Sequence, residues 1–264
     1  MRLTFTLLSA AVVLAACAGP GGPSAGAPTA ELRTASDQTD ADRRAAVRME
    51  LAALHFNNGQ YSTALDEIKL ALQAKPEHGP AFSLRGLVYA SMGEEALADE
   101  SFNRALQINP RDADTLHNRG WFLCQRNKFA EADRFFEQAL AVPQYRDTPR
   151  TFMAQGVCHA RAGKLDEAER KLTRAYELDA GNPTTALNLA EVLYRRGEYE
   201  RARFYIRRIN QRDDLSNAQT LWLALRIENR MGNRGAVDDF GRQLRNRFPQ
   251  ASETLSYERG RFDE

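Results

Sequence analysis

Between Ala113 and Val142 the apolar positions fall at helical spacing in two successive runs. Gly120 and Leu123 mark the first run; Ala132, Phe136 and Ala139 mark the second. Phe136 and Ala139 lie three apart, so they share one helix face. Asn127 and Lys128 interrupt the pattern between the runs. The pattern predicts two antiparallel helices that cannot bury their apolar faces alone. Gly120 and Ala132 are small because the two backbones approach where the helices cross.

The same unit recurs along the chain. Ala132 has counterparts at Ala64, Ala98, Ala168, Ala202 and Ala236, in steps of 34, 34, 36, 34 and 34. A bulky residue follows four later each time, as Ile68, Phe102, Phe136, Leu172, Ile206 and Phe240. A small residue precedes twelve earlier, as Ala52, Gly86, Gly120, Gly156, Ala190 and Ala224. Pro76 and Pro110 close the first two units, where a missing N–H stops a helix. Gln144–Thr148, after Pro143, holds the two inserted residues of the longer step as an extended loop. Gly181-Asn182-Pro183 ends one helix and starts the next.

A 34-residue period with a small residue and a bulky one four later resembles the tetratricopeptide repeat (TPR). Six such units in register predict an all-α chain of six helix-turn-helix repeats. The resemblance implies a right-handed superhelix whose first helices line the concave face. The expected domains are a signal peptide over 1–16, a lipidated N-terminus and tether over 17–38, and repeats over 39–250. Residues 251–264 then form a capping helix and tail. Thr39 or Asp40 is read as the first cap, and Ser252 as the cap of a terminal helix, Ser252–Arg259.

The first residues read as a leader. Arg2 is a basic start, Leu3–Leu14 a mostly apolar stretch, and Ala15-Ala16 precede Cys17. Leu14-Ala15-Ala16-Cys17 resembles the bacterial lipobox, which implies lipidation of Cys17. The competing reading is an ordinary signal peptide with an incidental cysteine. By the same resemblance, Ala18 in place of aspartate favours the outer membrane. Ala18–Glu31, rich in Gly, Pro and Ala, predicts a flexible tether.

Charge excludes one class of partner. Lys+Arg total 36 against Asp+Glu 35, a net of +1, so bulk charge gives no basis for nucleic-acid binding. The chain contains no HExxH, Walker A, GxGxxG or GxSxG motif. Asp166-Glu167 and Asp238-Asp239 read as solvated outer surface, with Glu167–Lys171 as an i,i+4 pair. Glu137 reads as another outer-face charge whose reversal does little. His55 and His159 hold a repeat position that packs an aromatic residue in TPRs. Neither a catalytic residue nor a metal or cofactor site is expected. Function must therefore reside in a surface.

Counting from Ala45, Gly79, Ala113, Pro149, Pro183 and Asn217 as position one of each repeat, positions two, five, nine and twelve face the groove in TPRs. In repeats one to three these include Met49, Ala53, Phe56, Leu87, Ala90, His117, Trp121 and Cys124, a largely apolar wall. Repeats four to six supply a more mixed set, including Arg150, Met153, Val157, Thr184, Leu221, Leu225 and Glu228. The expected partner-binding groove is Met49, Ala53, Phe56, Leu87, Ala90, His117 and Trp121. The alternative is that Met49, Phe56 and Trp121 pack internally. Cys124 and Cys158 sit near the ends of first helices that stack side by side in TPRs, and export permits oxidation. A Cys124–Cys158 disulfide is expected, with two buried thiols as the competing reading.

Leu116-His117-Asn118-Arg119-Gly120-Trp121-Phe122-Leu123-Cys124, with the lipobox, tether and six repeats, resembles the type IV pilus biogenesis/stability lipoproteins, the PilF/PilW family. The resemblance implies a non-enzymatic pilotin, lipid-anchored on the periplasmic face of the outer membrane. Its partner is then the pilus secretin, which it helps to localise and multimerise. The alternative is a TPR lipoprotein adaptor for peptidoglycan enzymes or envelope assembly.

Overall fold

The computed structural model describes residues 39–262, and these hold thirteen α-helices and no strand. The leader, Cys17 and the tether lie outside the described residues. The helices pair as α1 (Asp40–Asn57) with α2 (Tyr61–Ala74), α3 (Gly79–Met92) with α4 (Glu95–Ile108), and α5 (Ala113–Gln125) with α6 (Phe129–Leu140). Next come α7 (Thr148–Arg161) with α8 (Leu165–Leu178), α9 (Pro183–Arg195) with α10 (Tyr199–Asn210), and α11 (Ala218–Arg230) with α12 (Arg234–Arg247). A short α13 (Ser252–Glu258) packs on α11 and α12. Each second helix also packs on the next first helix, and successive first helices touch. No described helix is long and apolar enough to cross a membrane.

Local chemistry sets the helix ends. Thr39 and Asp42 form a reciprocal capping box at α1, and Asn217 and Thr220 form another at α11. Asp112 and Asn182 cap α5 and α9. Lys75 and Asn109 are extended at the ends of α2 and α4, as residues before proline tend to be. Ser252 is the first residue of α13 rather than its cap; Ala251 precedes it without a side-chain cap bond. Thr254 anchors that helix instead, its buried hydroxyl donating to the Phe248 carbonyl at 2.7 Å.

The turn inside every repeat passes through the left-handed region at one residue. That residue is Gly59, Gly93, Asn127, Gly163, Gly197 or Gly232, with φ of 72, 80, 58, 77, 78 and 76°. These turn residues are 34, 34, 36, 34 and 35 apart. The last step corrects the sequence register. The caps Asn182 and Asn217 are also 35 apart, so one extra residue lies between α10 and α11. Repeat six is therefore marked by Val237 and Gly241, not by Ala236 and Phe240. Val237, Gly241 and Leu244 are the residues α12 buries.

The register exposes a size rule at the helix crossings. The first-helix position and its partner sixteen residues later are Ala52/Ile68, Gly86/Phe102, Gly120/Phe136, Gly156/Leu172, Ala190/Ile206 and Leu225/Gly241. A Cβ on Gly86 or Gly120 would lie 2.7 or 2.8 Å from the Phe102 or Phe136 ring, and one on Gly156 2.6 Å from Leu172. Phenylalanine therefore requires glycine opposite, whereas the two isoleucines accept alanine. In repeat six the sizes exchange. Leu225 is fully buried, and the space beside Gly241 is filled by Tyr257 of α13.

Candidate functional site: the first-helix face

Positions two, five and nine of a first helix share one face, and contacts between α5, α7 and α9 place three such faces side by side. Together they border an open depression of about 460 Å³. His117 and Trp121 come from α5, Arg150, Met153, Ala154 and Val157 from α7, and Thr184 and Asn188 from α9.

The floor is apolar and uncharged. His117 is buried, its Nδ1 2.9 Å from the Thr151 hydroxyl and its ring 5.9 Å from that of Phe136. Tyr145, from the two-residue insertion, places its hydroxyl 2.9 Å from the same Thr151 oxygen. Burial, helped by nearby Arg150, pushes the His117 pKa down to about 3, so the imidazole is neutral at physiological pH. Arg150 is the rim's cation. It donates to Asn118 at 3.1 Å and stands 4.0 Å from Asp114, both in exposed settings. An apolar floor with one guanidinium at the edge suits an apolar side chain flanked by a carbonyl or carboxylate.

The predicted groove residues divide. His117 and Trp121 meet in the depression; Met49, Ala53, Phe56, Leu87 and Ala90 do not line it. Met49 and Phe56 are half-buried against the core of Ala52, Ala64, Ile68, Ala71, Ala81 and Val88, and the Phe56 ring lies 6.0 Å from Tyr61. Leu87, Ala90 and Trp121 pack against the next core, around Phe102 and Phe136. The corrected register removes Leu221, Leu225 and Glu228 from the groove face, and all three are buried. Ala154 and Asn188 were missed because each is one residue from a counted position.

Cys124 on α5 and Cys158 on α7 face each other with Cα atoms 5.7 Å apart, within the disulfide range. Both are buried in the core behind Trp121. Among the described residues no cluster of three or more His, Cys, Asp or Glu could hold a metal ion.

The outer face is less bland than its composition suggests. Buried Gln155 donates to Asp133 at 2.7 Å and to Glu137 at 2.6 Å, and Lys171 reaches Glu137 at 2.7 Å. Lys171 therefore serves repeat three rather than Glu167, which pairs with Arg170 at 3.5 Å. Glu137 thus links repeats three and four through polar contacts on the outer face. His159 completes the group, its Nε2 3.1 Å from Asp133.

Models of the tetratricopeptide repeat match residues 80–112, 101–134, 118–183 and 159–224. The crystal structure of PilW, described as a widely conserved type IV pilus biogenesis factor, is 30% identical with a TM-score of 0.74. The alignment covers 80% of this chain and 97% of that one. This chain belongs to the PilW family. The type IV pilus assembly protein PilF of Pseudomonas aeruginosa is 26% identical over 210 residues, covering 80% of this chain and 83% of PilF. A solved PilF structure aligns with a TM-score of 0.73 at 25% identity, over 84% of this chain and 100% of that one. The PilF/PilW proteins are non-enzymatic TPR scaffolds, and the depression belongs to such a scaffold.

Proposed function

We propose that this protein acts in type IV pilus biogenesis as a pilotin, an outer-membrane lipoprotein that binds the pilus secretin and promotes its localisation and multimerisation. The observation that carries the docking part is the apolar depression on the first-helix face, floored by Trp121, Met153 and Val157. A preformed groove lowers the ordering cost of binding. The wall runs from Met49, Ala53 and Phe56 through Leu87 and Ala90 to His117 and Trp121. It takes an apolar or amphipathic segment of the secretin, with Arg150 meeting a polar group at its edge. The anchor is Cys17, acylated after cleavage of residues 1–16. Residues 17–38 then hold the repeats on a tether, and residues 251–264 cap the array. Cys124 and Cys158 are joined in the exported protein, clipping α5 to α7 behind Trp121.

Pull-down of secretin with Trp121→Ala and Met153→Ala chains, beside their melting curves, tests the docking surface. Binding falls about 30-fold for an aromatic anchor of this kind while the helical signal holds. Unchanged binding by a folded double variant refutes the assignment. Mass spectrometry of the membrane-extracted chain tests the anchor separately, since an unacylated Cys17 would exclude it.

A further inference from the structure

In the corrected register Trp222 and Arg226 take the fifth and ninth positions of α11. His117 and Trp121 hold those positions on α5, and Met153 and Val157 on α7. Around α5 and α7 this line borders open space; on α11 it is covered by the chain's own tail. Gly260, at φ 66°, reverses the chain after α13, with its N–H donating to the Tyr257 carbonyl and that of Arg261 to Ser256. The turn lays the Phe262 ring against Trp222, centroids 6.1 Å apart and planes 26° apart. The Phe262 carbonyl accepts from Arg226 Nε at 3.2 Å. The same guanidinium lies 4.6 Å over the Tyr194 ring, so it is fixed between α9 and the tail.

We propose that Tyr194, Trp222 and Arg226 form a subsite for an aromatic side chain carried by an extended peptide, filled in the free protein by Phe262. One ring stacked on an indole and one backbone carbonyl held by a guanidinium are contacts that any aromatic residue of a peptide can reproduce. Trp222 is 8% exposed, its inner side in the terminal core of Leu221, Leu225, Val237 and Leu244 and its outer side under Phe262. The tail's link to α13 is short, so its local concentration at the subsite is of millimolar order and an incoming peptide must outcompete it. The tail thereby sets a threshold for peptides entering this end of the groove. The biological use rests on the docking reading of the first-helix face. The test involves no pilus protein, so the two can fail separately.

The full chain, wild type or Phe262→Ala, is titrated with a synthetic peptide of residues 257–264 while the Trp222 indole N–H resonance is followed. The alanine chain is expected to bind the peptide at least about tenfold more tightly than wild type, whose own tail competes. Replacing the peptide's phenylalanine with alanine, or adding Arg226→Ala to the receptor, weakens binding about tenfold. Equal binding to both chains, or no saturable shift up to about 1 mM peptide, overturns the proposal. Loss of the helical signal in the Phe262→Ala chain would also overturn it, because the tail would then be core rather than occupant.

Discussion

Repeats three and six solve the same packing problem with opposite residues. In repeat three Gly120 lets α5 meet the Phe136 ring on α6; in repeat six Leu225 on α11 is the large member and Gly241 on α12 the small one. Repeat three has another repeat on each side, whereas repeat six receives the short α13. Gly241 makes room for Tyr257, so the exchange turns a repeat into a terminus. What recurs is one small and one large member at each crossing, and either helix can supply the small one.

The comparison breaks most severely at Leu225. Read with a uniform step of 34, this side chain faces the groove, and its loss would matter little. In the structure it is fully buried, so Leu225→Ala should cost about 3 kcal/mol in urea unfolding. A comparable loss, about 3 kcal/mol, is expected on removing the proposed clip between repeats three and four with Cys124→Ser and Cys158→Ser. Thiol titration of the unreduced, denatured wild-type chain should find neither residue free.

The size rule itself is tested at Gly120. Gly120→Ala drives a methyl against the Phe136 ring and should cost about 2 kcal/mol. Adding Phe136→Ile recreates the pair found in repeats one and five and should recover most of that loss. Additive effects in the double variant would refute size complementarity.

A pH-dependent effect of similar size sets repeat three apart from its neighbours. The folded state keeps the His117 pKa near 3 and so excludes a proton that the unfolded chain takes up below about 6.5. The contribution is fully present above 6.5 and is lost as pH falls toward 3, at up to about 1.4 kcal/mol per unit. The stability difference between wild type and His117→Gln should therefore shift by that slope between pH 6 and 4. The smallest effect is expected at Asn127, the one non-glycine among the six repeat turns. Asn127→Gly should raise the unfolding free energy by a few tenths of a kcal/mol, whereas Gly163→Ala at the equivalent turn should lower it by about 1 kcal/mol.

The all-helical repeat array was legible because small and bulky residues recur at nearly fixed spacing. The same habit misled in repeat six, where Ala224 and Ala236 mimic markers one residue from the positions the fold uses. The turn glycines carried the correction, since Gly197 and Gly232 are 35 apart in the chain itself. Handedness of the exchange was not legible, because a Leu225/Gly241 pair makes sense only with Tyr257 beside it. At the site, counting positions identified the face but not the depression. Which part stays open depends on how far Met49, Phe56 and Leu87 sink into their cores. The contacts of Glu137 with Gln155 and Lys171 were not legible, because both partners belong to the next repeat.

The proposed docking of secretin on the first-helix face requires contact at the depression. A photo-crosslinking amino acid at Met153, in the depression, compared with one at Arg170 on the neighbouring second helix, reads this directly in piliated cells. A secretin adduct from position 153 and none from 170 is the predicted result. An adduct from position 170 alone, or capture at 153 of a different envelope protein without secretin, would contradict it.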